Sequence, residues 1–256
     1  MQGIVTLSLV PLRVEDNECS EMYSQLLFGE RVEILETRER WLKIRNLADN
    51  AVGWIDRKMI EILDSIENES IESCYCTLVP IAEVRIINKN EKMLLPGGSL
   101  LPDYENGKFH IQNNIFEVNP DEAGRPLKPS GNQLISLAKQ YLNSPYLWGG
   151  KSALGIDCSG LTQVIFSICG IFLPRNAYQQ AEKGKQVPSL KEVHAGDLAF
   201  FQNSEGKIVH VGLLLNSHQI IHCSGWVKIE NIDSKGIVSS KTGKYSHSFH
   251  SIRRLI

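Results

Sequence analysis

Over its first sixty or so positions the chain alternates short apolar runs with polar turns. Residues 4–14, 30–37, 41–45 and 52–55 are rich in β-branched side chains at close spacing, a pattern that predicts strands. Trp41-Leu42-Lys43-Ile44-Arg45 alternates apolar and charged positions as a half-buried antiparallel strand does, and Asp49-Asn50 supplies turn residues before Val52-Gly53-Trp54-Ile55. After a polar interval, 64–73, the same rhythm resumes at 78–87, 92–101 and 108–118, with Pro96-Gly97-Gly98 and Glu105-Asn106-Gly107 as turns. Two small all-β units are expected, 1–66 and 67–120. Residues 119–131 hold three prolines and two glycines, so no strand pairing is expected there, and 121–131 is read as a linker. The periodicity then changes. Leu134, Leu137, Ala138, Tyr141 and Leu142 recur at helical spacing, with Asn132 as cap and Pro145 as stop. A second helix is expected over 157–169, with Leu161, Val164, Ile165 and Ile168 on one face and Gly170 ending it. Strands are expected at 197–202, 208–215, 219–223, 227–229 and 252–255. Helices followed by a sheet make residues 132–256 an α+β domain.

Composition narrows the class. Hydrophobic residues are 42% of the 256, enough for an ordinary core, which excludes disorder and collagen-like structure. Lys and Arg number 27 against 29 Asp and Glu, a net charge of −2 that gives no whole-surface attraction to nucleic acid or anionic lipid. The longest apolar stretch, 164–173, is interrupted by Ser167 and Gly170 and is about half the roughly 20 residues of a membrane span, so none is expected. Residues 3–12 are apolar but lack a preceding basic stretch and a following small-x-small site, so no secretory signal is expected. Six cysteines allow three disulfides, yet a chain this long builds a core without them; a reduced, cytoplasmic protein is the expectation.

Candidate chemistry centres on Cys158, in the first turn of the second predicted helix, after Trp148-Gly149-Gly150-Lys151 and Gly155-Ile156-Asp157. Free N–H groups and the positive end of a helix dipole favour a thiolate, and a nearby imidazolium lowers its pKa further. His210 and His222 each interrupt an apolar strand, in Ile208-Val209-His210-Val211-Gly212 and Ile220-Ile221-His222-Cys223. Taken singly, each of the three reads as an ordinary core residue. Together they fit a nucleophile, its base and the partner that fixes the base's tautomer. A metal site built from Cys74, Cys76, His218, His222 and Cys223 is the rival, but a lone Cys-x-Cys without a second pair at zinc-finger spacing argues against it, and no metal or cofactor is expected.

Pro145-Tyr146-Leu147-Trp148-Gly149-Gly150, Asp157-Cys158-Ser159-Gly160-Leu161, Gly196-Asp197-Leu198 with Phe200-Phe201, His210-Val211-Gly212 and Ile221-His222 occur in the order found in the NlpC family of cell-wall cysteine peptidases, which the chain resembles. The resemblance implies a papain-like fold in which a cysteine-bearing helix packs against a sheet that supplies two histidines. The N-terminal half resembles the bacterial SH3-like barrels of the subgroup that cleaves murein peptides, through residues 20–30, Trp41-Leu42-Lys43-Ile44, residues 94–102 and Gly107-Lys108-Phe109.

That subgroup implies a peptidase cutting between γ-D-glutamate and a diamino acid, diaminopimelate or lysine, in peptides with a free N-terminal L-alanine. It also implies that the first barrel walls one end of the cleft, that Glu21 binds the substrate amine, that the Tyr146 hydroxyl lines the cleft, and that Asp157 and Ser159 contact substrate. The chain departs from the subgroup at Asn176-Ala177, where Asp-Ser is usual, which replaces an amine-binding charge at the substrate-binding position Asn176. It departs again at Asp49-Asn50-Ala51-Val52-Gly53-Trp54, which lacks a tyrosine that would reach the cleft. Catalysis is expected to survive both departures; whether a free N-terminus is still required is left open by them. The expectation is a monomeric enzyme with a murein peptide as its partner. The alternative is a peptide-binding module whose C-terminal domain is inert or acts as an acyltransferase.

Overall fold

The structure, a computed structural model, describes residues 1–63 and 74–256. The boundary expected at 66 and 67, with its polar interval, lies outside the described residues. Among the described residues, seven strands build the first unit: β1 (Gln2–Val5), β2 (Leu9–Arg13), β3 (Met22–Leu27), β4 (Arg31–Thr37), β5 (Trp41–Asn46), β6 (Val52–Asp56) and β7 (Ile60–Leu63), paired in the order β3-β2-β6-β5-β4-β1-β7. The run expected over 4–14 is two strands, because the chain bends at Leu7-Ser8. Val5, Val10, Leu12, Leu26, Val32, Leu42, Ile44 and Ile55 form its core.

The second unit holds β8 (Tyr75–Thr77), β9 (Ile81–Ile86), β10 (Glu91–Pro96), β11 (Leu100–Leu101), β12 (Lys108–Ile111), β13 (Asn114–Val118) and β14 (Ala123–Gly124), in sheets ordered β10-β9-β13-β12 and β11-β8-β14. Its core is not its own. Phe28 of the first unit enters it edge-on to Phe109 at 5.8 Å and to Phe116 at 5.2 Å, joined by Ile4. Aromatic edges and faces attract at such separations, so the two units share one apolar cluster. β14 corrects the linker reading: Ala123 and Gly124 pair with Thr77 and Cys76 of β8. They lie between the turn that Pro120 opens and Pro126, and neither is a proline, so their backbone N–H groups remain free to pair.

In the C-terminal part, α1 (Gly131–Lys139) is capped by Ser130, whose Oγ accepts the Gln133 N–H at 3.2 Å. The cap expected at Asn132 is inside the helix; Ser130 is the residue with extended backbone. A short hairpin, β15 (Lys151–Ser152) and β16 (Gly155–Ile156), leads into α2 (Cys158–Ser167), and α3 (Ala177–Gln180) is a single turn. The sheet runs β17-β23-β18-β19-β20-β21-β22, from β17 (Lys185–Val187), β18 (Leu198–Gln202), β19 (Ile208–Leu214), β20 (Gln219–Ser224), β21 (Trp226–Asp233), β22 (Gly236–Val238) and β23 (Tyr245–Arg254). β22 also pairs with β23, so six of these strands close on themselves. Leu161, Val164 and Ile165 of α2 pack with Leu198, Phe200, Val211, Leu213 and Ile221 on one side of the strands, while Phe201, Leu214, Ile220, Ile232, Ile237 and Ile252 fill the other. Among the described residues no helix is long and apolar enough to cross a membrane.

Polar contacts seat the first unit on the C-terminal part. Lys151 Nζ lies 3.0 Å from Glu30 Oε1, both side chains buried, and Glu30 Oε2 accepts from Asn46 Nδ2 at 3.0 Å and the Leu27 N–H at 3.1 Å. Gln25 Oε1 accepts the Lys151 N–H, and Gln163 Nε2 donates to Asp49 Oδ2. Removing one partner of a buried pair leaves the other charge without compensation, which costs about 3–5 kcal/mol. Lys151→Met is therefore expected to destabilise the protein by about that much in denaturant unfolding. Adding Glu30→Gln should recover most of the loss, because the amide oxygen still accepts from Leu27 and Asn46 with no charge left behind.

Candidate active site

The loop before α2 is organised by one carboxylate. Asp157 caps the helix, Oδ1 accepting the Gly160 N–H at 2.7 Å, while Oδ2 accepts the Gly149 N–H at 2.8 Å. Arg175, buried, donates Nη1 to Asp157 Oδ1 at 3.1 Å and to Ser159 Oγ at 2.8 Å, pairs Nη2 with Asp157 Oδ2, and donates Nε to Ser24 Oγ of β3 at 3.0 Å. Gly160 has no alternative at its position: a Cβ there would meet the Gly150 carbonyl oxygen at 2.2 Å. Cys158 is thereby fixed in the first turn of α2, 8% exposed.

Cys158 lines two cavities. One, of about 330 Å³, also has Tyr146, His210, Ser224 and His247 in its wall. The other, of about 350 Å³, is walled by Tyr23, Trp148, Arg175, Asn176 and Tyr178. His210 and His222 sit on neighbouring strands, on the same side as Phe201 and Ile220. Gly212 makes room for them, since a Cβ there would stand 2.8 Å from the Cβ of His222, its partner across β19 and β20. His210 Nε2 lies 2.9 Å from His222 Nδ1, and His222 Nε2 lies 3.0 Å from Glu230 Oε2. The contact with His222 engages Nε2 and leaves Nδ1 as the other nitrogen of the His210 ring. His247 of β23 stacks on His210 with centroids 4.1 Å apart.

Of the expected site residues, Cys158, His210 and Tyr146 meet at one cavity, with His222 directly behind. Asp157 and Ser159 reach the second cavity but turn their side chains to Arg175. Asn176, which precedes α3, lines it too and donates Nδ2 to the Tyr23 hydroxyl at 2.8 Å. Glu21 is exposed and accepts from Trp148 Nε1 at 2.7 Å, so the barrel reaches the mouth of the cleft through that contact. Ala51 is buried in the barrel core, and Tyr23, supplied from β3, lines the second cavity.

Arg175, Tyr23, Glu230 and His247 were not singled out by the sequence. Glu230 was within reach of it, as a charged residue alternating in phase with Ile232 of the same strand. His247 falls in Tyr245-Ser246-His247-Ser248, which carries no apolar alternation. The rival metal ligands do not assemble: Cys223 donates to the Ile156 carbonyl, Cys74 and Cys76 pack with Leu100, and His218 is exposed. A different trio, His210, His222 and His247, has ring nitrogens within 4.8 Å of one another. The His210–His222 separation is that of a hydrogen bond, shorter than the ~3.3 Å between two ligands of a tetrahedral ion at 2.0–2.1 Å.

The electrostatics run against the expectation of an easily ionised thiol. Burial pushes the Cys158 thiol up, to about 12, and the Asp157 carboxylate adds to the rise; the Val211 and Ser159 N–H groups and Arg175 oppose it without prevailing. Burial thus offsets the help that the helix start gives a thiolate. Burial, then His247 and His222, holds His210 well below the ordinary histidine value, and burial also lowers His222 against the pull of Glu230. Both shifts favour the uncharged forms, thiol at Cys158 and imidazole at His210.

A cysteine-bearing helix laid against a sheet that carries two histidines, behind an N-terminal SH3-like domain, defines the class. The NlpC/P60 family model matches residues 143–246, and the one for the bacterial dipeptidyl-peptidase Sh3 domain matches residues 12–60. The chain is 32% identical over 216 residues to gamma-D-glutamyl-L-lysine dipeptidyl-peptidase of Bacillus subtilis, covering 78% of this chain and 71% of the relative. It is 25% identical over 245 residues to dipeptidyl-peptidase 6 of Lysinibacillus sphaericus, covering 88% of each. The crystal structure of an NlpC/P60 family protein from Bacillus cereus superposes with a TM-score of 0.82 over 99% of both chains at 18% identity, a likeness of fold. The protein belongs to the NlpC/P60 family.

Burial pushes His247 down to about 4, with His222 adding to the effect. A histidine held below its unfolded value of ~6.5 favours the fold fully above that pH and progressively less as the pH drops toward 4. His210 and His222 act in the same direction. Calorimetry from pH 7.5 to pH 4 is expected to show Tm falling by several degrees below pH 6.5, with a shallower fall in His247→Gln.

Proposed function

We propose that the protein is a cysteine peptidase that hydrolyses the γ-D-glutamyl bond to the diamino acid of murein peptides, with Cys158 as nucleophile, His210 as base and His222 orienting that base. The observation that carries the reading is that Cys158, at the start of α2, shares a cavity wall with His210, whose far nitrogen is engaged by His222. The names of the peptidase relatives support the bond and the substrate class. A substrate carbonyl over Cys158 receives the sulfur as His210 Nδ1 takes the thiol proton, so the attacking thiolate forms in the step rather than beforehand. The Cys158 N–H and the Tyr146 hydroxyl hold the oxyanion. His210 then protonates the departing amine of the diamino acid, and a water, deprotonated by the same nitrogen, releases the acyl group.

The walls beside the nucleophile support a short substrate. Tyr23, Trp148 and Asn176 bound the cavity that would receive the L-alanyl-γ-D-glutamyl part, and Glu21, behind Trp148, supplies a carboxylate for its amine.

Incubation with L-Ala-γ-D-Glu-L-Lys and its N-acetylated form, followed by mass spectrometry, tests the reading. Cys158→Ala and His210→Ala are expected to lower kcat by about 10³-fold or more with the fold retained, and His222→Ala by about 10- to 100-fold. Wild-type turnover in Cys158→Ala would overturn the assignment. Acetylation is expected to raise KM; equal kinetics for both peptides would remove Glu21 as an amine clamp.

A further inference from the structure

We propose that Glu230 is a positioning residue that sets the tautomers of His222 and His210, so that Nδ1 of His210 is bare and able to accept the Cys158 proton. The inference rests on the proposed roles of Cys158, His210 and His222 and deepens them.

Glu230 lies on β21 across from Ile220, beside His222, with its side chain 1% exposed. Its Oε1 accepts the Ser240 N–H at 2.8 Å and the Ser240 hydroxyl at 2.9 Å, with Lys228 Nζ at 3.6 Å. Burial alone would raise this carboxyl; the hydrogen bonds from His222 and Ser240 outweigh it and hold it down at about 2, so it is a carboxylate at any pH at which the protein works. An ionised carboxylate only accepts. His222 Nε2, 3.0 Å away, must therefore carry the proton. A neutral imidazole has one N–H, which leaves His222 Nδ1 an acceptor. The 2.9 Å contact with His210 Nε2 then requires the proton on that atom, which leaves Nδ1 of His210 without one. Every step follows from the one before, and the first is set by Glu230. With that carboxylate absent, His222 has nothing at Nε2 to choose its tautomer, and half of the arrangements place a proton where the base must be empty.

The chain of donors makes an unusual prediction about two substitutions. In Glu230→Gln the Ser240 backbone N–H, which only donates, seats the amide oxygen, so the amide NH2 turns toward His222 Nε2. That reverses every donor: His222 donates from Nδ1, His210 Nε2 accepts, and His210 Nδ1 carries the proton and cannot take another. Glu230→Ala merely removes the bias. The near-isosteric glutamine should therefore be the worse of the two.

The test measures kcat and KM on L-Ala-γ-D-Glu-L-Lys for wild type, Glu230→Gln, Glu230→Ala and Glu230→Asp, with Cys158→Ala and His210→Ala beside them, and long-range 15N–1H spectra of histidine-labelled protein. Expected are a loss in kcat of about 10³-fold in Glu230→Gln and about 10-fold in Glu230→Ala, KM within about 2-fold throughout, and an intermediate, partly rescued Glu230→Asp. The spectra should show His210 and His222 protonated at Nε2 in wild type and at Nδ1 in Glu230→Gln. Wild-type kcat in Glu230→Gln overturns the proposal, as do equal losses in the glutamine and alanine variants. A proton on Nδ1 of His210 in wild type overturns it without any variant. Should Cys158→Ala keep wild-type activity, it is the underlying assignment that fails; should that variant be inactive while Glu230→Gln is normal, only the role of Glu230 fails.

Discussion

The buried pairing of Asp157 with Arg175 is the constraint on which the geometry of the cleft depends. One carboxylate caps α2, holds the Gly149 turn and receives a guanidinium, while that guanidinium reaches Ser24 of the first barrel. Helix start, glycine turn and barrel wall thus converge on a single ion pair removed from solvent. An isolated charge at this depth would be costly, so each group is tolerated only in the presence of the others. The residue that places the sulfur also adds, after burial, to the rise in that thiol's pKa, because its negative charge lies beside it.

The closed sheet meets a related problem on its inner side. Phe201, Leu214, Ile220 and Ile237 make that space apolar, and into it project His210, His222 and Glu230. Polar groups without water must satisfy one another, and here they do so in a line that ends on the backbone and hydroxyl of Ser240. The stacked ring of His247 and the ring of Phe201, 5.7 Å from His210, restrict how the base can tilt.

How much of this was legible in the sequence differs by residue. The cysteine was legible because it stands in the first turn of an expected helix, after a glycine-rich turn, both local features. The two histidines stood out as polar interruptions of apolar strands, and the helix was plain from Leu161, Val164 and Ile165. Pairings across long separations were not legible: Arg175 with Ser24, Tyr23 with Asn176, Lys151 with Glu30. Nothing in local periodicity ties residues more than a hundred positions apart. β23 was foreseen only at its end, because its first half alternates serine and histidine instead of apolar residues, and with that half went His247. The effect of burial on the Cys158 thiol was not legible either: sequence shows that a helix begins there but not how little water reaches it.

The Phe28 ring, seated among side chains of the neighbouring unit, bears on how such a protein changes over generations. A unit whose ring is the keystone of its neighbour's core is poor material for shuffling as a cassette, because a transplanted copy would leave a hole behind and carry a naked aromatic with it. The two β units are thus bound to be inherited, lost or remodelled as a couple, and novelty in the first must be matched by accommodation in the second.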